Sequence, residues 1–168
     1  MLNTYYKNID AIEAYEDNYM LCKAIYSKVF KCDIKEFDWC SYDIIILGDI
    51  LEHLTVGDAQ NVLQNCIRNS KEVIVVVPYE MPQHALYNNV LEIHLQPDLT
   101  PENFKERYPQ LNVLFSCYEK YNPNMKGLGV YVLSKPKPED IIIQDSVWNG
   151  YRTPDGQILW YVPYSKPN

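Results

Sequence analysis

Two strand-like runs that flank a helical stripe constrain the fold of this chain more than any other feature. Residues 42–47 and 71–77 are rich in Ile and Val, the pattern of strands that are covered on both faces. Between them lies a stripe with the spacing of one buried helical face, formed by Ala59, Val62, Leu63, Cys66 and Ile67. A strand, a helix and a second strand in this order predict parallel strands joined by a right-handed crossover.

The helix between the two runs has a clear start, and an earlier strand–helix–strand segment precedes it. Thr55 and Asp58 form a Thr-x-x-Asp start that resembles a capping box, with Asp in the role more often taken by Glu. Upstream, residues 8–13 and 28–32 are predicted as short strands on either side of a helix at residues 19–27. The first half of the chain therefore alternates in the way that is typical of α/β domains.

The second half departs from this alternation. Residues 79–99 form a long irregular segment, and loops of that length inside a compact domain are usually functional. Thr100 followed by Pro101 predicts the start of a short helix. Residues 111–119 and 129–134 predict two strands of an antiparallel hairpin.

A proline-rich linker at residues 136–138 divides the chain into two predicted domains. Residues 1–135 would form the α/β domain, and residues 136–168 an extension rich in Tyr and Trp. Within the extension, residues 141–147 and 158–162 are strand-like.

The composition excludes several classes of function. The net charge of −7 carries no basic cluster, so a nucleic-acid partner is disfavoured. No signal peptide and no membrane-length apolar run is visible, so we expect a cytoplasmic protein without membrane contact. The five cysteines contain no Cys-x-x-Cys pair, which favours reduced thiols over a disulfide framework or a zinc knuckle.

Three segments resemble class I S-adenosylmethionine (SAM)-dependent methyltransferases. Residues 42–54, with the sequence YDIIILGDILEHL, look like the fourth strand of that family and the helix start after it. Residues 73–78 then match its fifth strand, and residues 89–95 are similar to an Asn-x-x-Glu-x-His-Leu segment of some bacterial members. The resemblance covers residues 8–135. It implies a doubly wound, mostly parallel Rossmann-like α/β sheet with a C-terminal antiparallel hairpin, and SAM-dependent methyl transfer to a small-molecule or sugar-type acceptor.

The resemblance also assigns cofactor-binding residues. Glu13, at the end of the second strand of the family, would accept hydrogen bonds from both ribose hydroxyls, because one carboxylate can accept from a vicinal diol. Asp33 would accept from the adenine amino group while Ile34 packs on the ring. Asp49 would lie at the carboxyl edge of the fourth strand, where open α/β sheets bind ligands. Each carboxylate has a simpler interpretation, as a solvated loop or turn residue.

Catalysis and acceptor binding are assigned in the same way. Asp49 and His53 are the catalytic candidates, His53 either as a general base or as a residue that only orients a loop. Glu92 and His94 would contact the substrate if their segment is extended, since residues at i and i+2 then share a face. Together with His84 they provide weak evidence for a metal site, and we expect no metal.

The glycine-rich loop of the family is missing, since no glycine precedes Gly48. If residues 8–13 are the second strand, the central first strand and its helix are absent, which leaves a gap of about 5 Å on each side of the vacant position. The flanking strands would close up, a homodimer or partner chain would complete the sheet, or residues 141–147 would fill the vacancy. The activity would then be impaired or partner-dependent. Two other readings stay open: a non-catalytic interaction module, and a fragment of a longer product that encodes the glycine loop upstream.

Overall fold

The structure is a computed structural model that describes residues 8–86, 88–119, 126–134, 142–144, 149–152 and 158–161. Contacts between residues divide the chain into two compact units, Met1–Leu133 and Ser134–Asn168. Within the described part of the chain, no helix is long and apolar enough to cross a membrane.

The first unit has a mixed α/β fold. Its elements are β1 (Asp10–Ile12), α1 (Glu16–Cys22), β2 (Lys28–Phe30), β3 (Tyr42–Gly48), α2 (Val56–Asn69), β4 (Ser70–Tyr79), α3 (Pro101–Arg107), β5 (Asn112–Tyr118) and β6 (Gly127–Ser134). Short 3-10 helices lie at Ile34–Glu36, Leu51–His53 and Val90–Glu92. The alternation predicted for the first half of the chain is therefore confirmed.

The strands of the first unit form two sheets. β1 and β2 pair in parallel in a two-stranded sheet of their own. The larger sheet has the order β3-β4-β6-β5, with β3 and β4 parallel from Tyr42↔Ser70 to Gly48↔Val76. β5 and β6 form the predicted antiparallel hairpin.

Both well-marked helix starts are confirmed. The Thr55 hydroxyl accepts a hydrogen bond from the backbone N–H of Asp58 at 3.2 Å, which caps α2. The Thr100 hydroxyl does the same for Asn103 at 3.1 Å, and Pro101 takes the first helical position of α3.

The predicted bounds of α1 and β4 are wrong. α1 begins at Glu16 and not at residue 19, because acidic residues in a first turn interact favourably with the helix dipole. It ends before Ser27, whose N–H instead donates to the Ile9 carbonyl at 2.8 Å and starts the pairing of β1 with β2. β4 continues through Pro78 to Tyr79 and does not stop at the proline.

The core lies on one face of the larger sheet. Val73, Val75 and Val77 alternate along β4 and are at most 1% exposed. α2 covers them with the predicted stripe, of which Ile67 is only partly buried. Helix α3 contributes Phe104, whose ring stacks on that of Tyr131 in β6 with a centroid separation of 3.9 Å.

The opposite face of β3 is open, so the expectation that β3 is covered on both faces is wrong. Ile44 is 51% and Ile46 65% exposed. Among the described strands, β3 lies at the edge of its sheet and does not pair with β1. The Tyr42 hydroxyl donates to the Asp10 carboxylate at 3.4 Å, a side-chain contact between the two sheets. The two flanking strands have not closed up, and the doubly wound arrangement stays a prediction.

The second unit contains a three-stranded antiparallel sheet of β7 (Ile142–Gln144), β8 (Asn149–Arg152) and β9 (Ile158–Tyr161), in that order. Two of these strands lie in the predicted strand-like pieces, and β8 was not predicted. Within this unit β7 is hydrogen-bonded to β8, and its predicted place beside β3 stays a prediction.

Candidate functional site

A tight turn at the carboxyl end of β3 carries most of the candidate residues. The Asp49 N–H donates to the Val76 carbonyl at 3.0 Å, one residue past the last paired position of β3. Asp49 has a φ of 51°, in the left-handed region that Asp adopts more readily than most residues. The chain thus turns sharply out of the sheet and enters the 3-10 helix Leu51–His53.

The neighbours of Glu52 anchor this turn. Leu51 and Leu54 are buried in the core. The Glu52 carbonyl accepts two hydrogen bonds from the later loop, from the N–H of Leu95 at 2.8 Å and of Gln96 at 3.1 Å. These bonds join the turn to the irregular segment that precedes α3.

Gln96 strengthens the same connection through its side chain, which is buried. Its Nε2 lies 2.7 Å from the Leu51 carbonyl and 3.1 Å from the Leu54 carbonyl. The Tyr108 hydroxyl donates to its Oε1 at 3.0 Å, and Arg107 donates to the same oxygen at 3.2 Å. Turn, loop and α3 are therefore linked by one buried amide.

The joined segments bring His53 and His94 together. Their ring centroids are 4.6 Å apart, with an interplanar angle of 80°. Nδ1 of His53 lies 3.3 Å from the Ile93 carbonyl, and Nδ1 of His94 faces the Met81 carbonyl. Because a carbonyl oxygen only accepts, both Nδ1 atoms carry a proton, and in the neutral rings both Nε2 atoms keep a free lone pair.

Glu52 lies beside these rings in an apolar environment. It is 1% exposed, and neither carboxylate oxygen has a hydrogen-bond partner among the described residues. Burial raises the pKa of Glu52 to about 8; its own backbone N–H opposes this shift, and the Asp49 carboxylate adds to it. One ligand atom each of Glu52, His53 and His94 lie within 4.8 Å of one another.

Burial lowers the pKa of His94, whereas it raises the pKa of Glu52. Desolvation lowers the pKa of His94, while the Met81 carbonyl opposes this and neighbouring His53 contributes to it. Asp49 influences both Glu52 and His94 electrostatically, which places all three groups in one electrostatic environment.

Glu13 and Asp33 follow β1 and β2, as the resemblance requires. The Glu13 N–H donates to the Phe30 carbonyl at 2.9 Å, and its Oε1 accepts from the N–H of Tyr15 at 2.8 Å. The Asp33 carboxylate is already engaged, since Oδ1 accepts from the N–H of Lys35 at 2.9 Å and Oδ2 pairs with its ammonium group. Asp33 therefore acts as the cap of a short 3-10 helix in this structure.

Ile34 is partly buried and packs against the core. Its predicted role beside an adenine ring stays a prediction.

Glu92 ends the 3-10 helix Val90–Glu92, Ile93 after it is extended, and the Glu92 carboxylate acts electrostatically on His94. The joint role predicted for Glu92 and His94 in substrate binding stays a prediction. The Glu92 carboxylate faces the side-chain amides of Asn89 and Gln83, each at 3.4 Å. The pKa of Tyr15 is raised mainly by Asp17, then by desolvation, and also by Glu92, so the loop lies within electrostatic reach of the segment after β1.

The sequence did not reveal the grouping of Glu52 with the two histidines. Adjacent residues on an α-helix point about 100° apart, which argued against Glu52 and His53 acting on one atom. The 3-10 turn itself separates adjacent side chains by about 120°. The ligand atoms of Glu52 and His53 nevertheless come within 4.8 Å of each other and of His94, which belongs to a later loop. The available signal was the position of Glu52 between Leu51 and Leu54, whose burial carries the carboxylate inward.

Solved structures share this fold at low sequence identity. The N-terminal domain of EvdMO1 with SAH bound has a TM-score of 0.53 at 12% identity, covering 77% of this chain and 65% of that chain. Magnesium protoporphyrin IX methyltransferase (ChlM) from Synechocystis PCC 6803 with bound SAM has a TM-score of 0.50 at 11% identity, covering 79% of this chain and 62% of that chain. WbdD has a TM-score of 0.51 at 12% identity, covering 96% of this chain and 40% of that chain.

The chain thus spans less than two thirds of each of these three solved chains. It matches no protein-family model and no curated protein. The likeness establishes a methyltransferase-like fold for the chain.

Proposed function

We propose that this protein binds SAM and transfers its methyl group to a small-molecule or sugar-type acceptor. The observation that carries the proposal is the group of Asp49, Glu52, His53 and His94 at the carboxyl end of β3, in a fold shared with SAM- and SAH-bound structures. Open α/β sheets bind ligands at this edge.

Two acidic residues of the chain are assigned to the ribose and adenine parts of the cofactor, and one of them is available. Glu13 offers a carboxylate to the ribose hydroxyls, since only Oε1 is used by its own turn among the described residues. Asp33 would have to release Lys35 before it could accept from adenine. No glycine lies between residues 8 and 47, so contacts to the methionyl part must come from other groups.

Bound SAM would supply an electrophilic methyl group. The residues of this chain would orient the acceptor and take up its proton. Asp49 is exposed and follows β3 directly, and the Nε2 atom of His53 keeps its lone pair. Either group could accept the proton of a hydroxyl or amine. The diffuse negative charge favours an acceptor without phosphate-backbone character.

Calorimetric titration with SAH and with SAM tests this proposal. Glu13→Gln should weaken binding by about tenfold, because a carboxylate–hydroxyl hydrogen bond is worth about 1.5 kcal/mol more than an unmade one. Glu106→Gln, an exposed carboxylate on α3, is the matched control and should bind like the unchanged protein. The proposal would be refuted if both ligands, at millimolar concentration, gave no heat of binding and no thermal stabilisation.

One observation favours a second function, that of a non-catalytic interaction module. Ile44 and Ile46 on β3 are each more than half exposed, and exposed apolar surface is typical of interaction sites. A homodimer or a partner chain that completes the sheet would cover the edge of β3. Light scattering over a concentration series tests for the homodimer, and a pull-down tests for a partner chain. A protein that stays monomeric at every concentration and binds no partner in the pull-down would contradict this function.

A further inference from the structure

We propose that Glu52, His53 and His94 bind a divalent first-row transition-metal ion. This inference does not depend on the methyltransferase proposal and departs from the sequence-based expectation of no metal. Two imidazole nitrogens and one carboxylate oxygen are a donor set that suits zinc, manganese, iron or cobalt.

The distances are compatible with one ion. The three ligand atoms lie within 4.8 Å of one another. Ligands bound tetrahedrally at about 2.1 Å would be ~3.4 Å apart, so each atom must move inward by an ångström or less.

The orientation of both histidines is already that of metal ligands. A metal-binding histidine usually donates its second ring N–H to a carbonyl or carboxylate, which fixes the ring and its tautomer. His53 does this towards the Ile93 carbonyl, and His94 towards the Met81 carbonyl. Coordination of an ion by these residues would then use the Nε2 atom of each ring.

The burial of Glu52 is the independent observation. A buried charged group is strongly unfavourable unless it is paired or bound to a metal. Glu52 is 1% exposed, and both oxygens lack hydrogen-bond partners in the described part of the chain. A cation at the centre of the three ligands would neutralise this carboxylate. The competing state is a protonated carboxyl group in a cluster without a metal.

The two proposals meet at one residue. If His53 binds an ion, its Nε2 atom is not available as a base, and Asp49 remains as the proton acceptor at the end of β3. The open positions of the ion would take water or oxygen atoms of an acceptor; this last role rests on the proposed function.

Cobalt(II) titration of the chelator-treated full chain tests the site. We expect one cobalt ion per chain with visible d–d absorption, and the same site should bind zinc and manganese in calorimetry. Glu52→Gln and His94→Gln should each weaken cobalt binding at least tenfold, as loss of even a supporting contact commonly costs 10- to 100-fold. The third histidine supplies a matched control, because His84 is exposed and outside the cluster, and His84→Gln should bind normally.

Thermal unfolding separates metal loss from misfolding. Cobalt should raise the melting temperature of the unchanged protein and of His84→Gln, and should not raise that of Glu52→Gln. Without metal, Glu52→Gln should be as stable as the unchanged protein or more so, since it removes a buried carboxyl group.

Three results would overturn the inference: no d–d spectrum at saturating cobalt, equal binding by Glu52→Gln, or a thiolate-to-cobalt band that assigns the ion to cysteines. SAH binding without cobalt binding would end this inference alone, and cobalt binding without SAH binding would end only the methyltransferase proposal.

Discussion

Replacement of Gln96 by Met should destabilise the first unit by about 3 kcal/mol. Met retains the length of the side chain and removes its amide. The carbonyls of Leu51 and Leu54 then lose a donor inside the protein. Each buried group left without a partner costs about 1–3 kcal/mol, and the added apolar burial returns part of this.

The size of this effect follows from the donor count. The Gln96 amide has two N–H hydrogens but three acceptors within range, Leu51, Leu54 and Tyr108. The two carbonyls use both hydrogens, because the Tyr108 hydroxyl can itself donate to Oε1. In the Met variant the Leu51 carbonyl still accepts from the Leu54 N–H at 3.2 Å. The Leu54 carbonyl, which loses its donor, and the Tyr108 hydroxyl, which loses its acceptor, therefore set the expected cost.

Urea unfolding followed by far-ultraviolet circular dichroism measures the change. The midpoint should fall while the dependence on urea stays constant, which identifies a loss of folding free energy. Gln64→Met, on the exposed side of α2, is the matched control and should change stability by less than about 0.5 kcal/mol. A loss below about 1 kcal/mol for Gln96→Met, or equal losses for both variants, would refute the role assigned to this amide.

Three further changes test other parts of the structure. Gly129→Ala should cost about 1–3 kcal/mol in thermal unfolding, because the new Cβ would overlap the Tyr79 hydroxyl in the core. Thr55→Ala should cost about 1 kcal/mol through loss of the α2 cap, and Thr55→Ser should restore most of it. The hydrogen bond from Arg107 holds the pKa of Asp98 below its unfolded value of 3.8. Asp98 therefore stabilises the fold at pH values above 3.8. This contribution is lost as the pH falls through the lower pKa that Asp98 has in the folded state. Asp98→Asn should remove this acid-dependent part of the stability.

The controls for these changes are specific. Gly57→Ala should raise stability by about 0.5 kcal/mol, since a Cβ there meets nothing within 4 Å and Ala favours the helix. A Gly129→Ala protein as stable as Gly57→Ala would contradict the packing described at Tyr79. The Asp98 effect should stay below about 1 kcal/mol because its side chain is 56% exposed, and unchanged acid unfolding of Asp98→Asn would show that the pair contributes nothing.

Periodic parts of the fold could be predicted from the sequence. The stripe of α2 and its Thr55 cap specify both the buried face and the first residue of the helix. Residues 42–47 and 71–77 became neighbouring parallel strands for the same reason, since Ile and Val favour strands. The open face of β3 could not be predicted, because Ile44 and Ile46 read as buried whether or not another element covers them.

The candidate site depended on contacts that carry no period. His53 follows the turn after β3, and His94 lies in the irregular segment before α3. Their meeting results from the two N–H bonds to the Glu52 carbonyl and from the Gln96 side chain. Such side-chain and loop contacts join parts of the chain that are distant in sequence, and no local sequence pattern predicts them. Glu52 was missed for the same reason.

The free edge of β3 has a consequence for the handling of this protein. An unpaired strand edge with apolar side chains is a template for uncontrolled stacking of chains into aggregates. Charged groups lie at the beginning of the strand, where Asp43 pairs with Lys71 on β4 and the Tyr42 hydroxyl contacts Asp10. Ile44 and Ile46 beyond it have no such gatekeeper on β3. Precipitation at high concentration should therefore start at this edge, and a lysine introduced at residue 46 is the substitution that would keep the chain in solution.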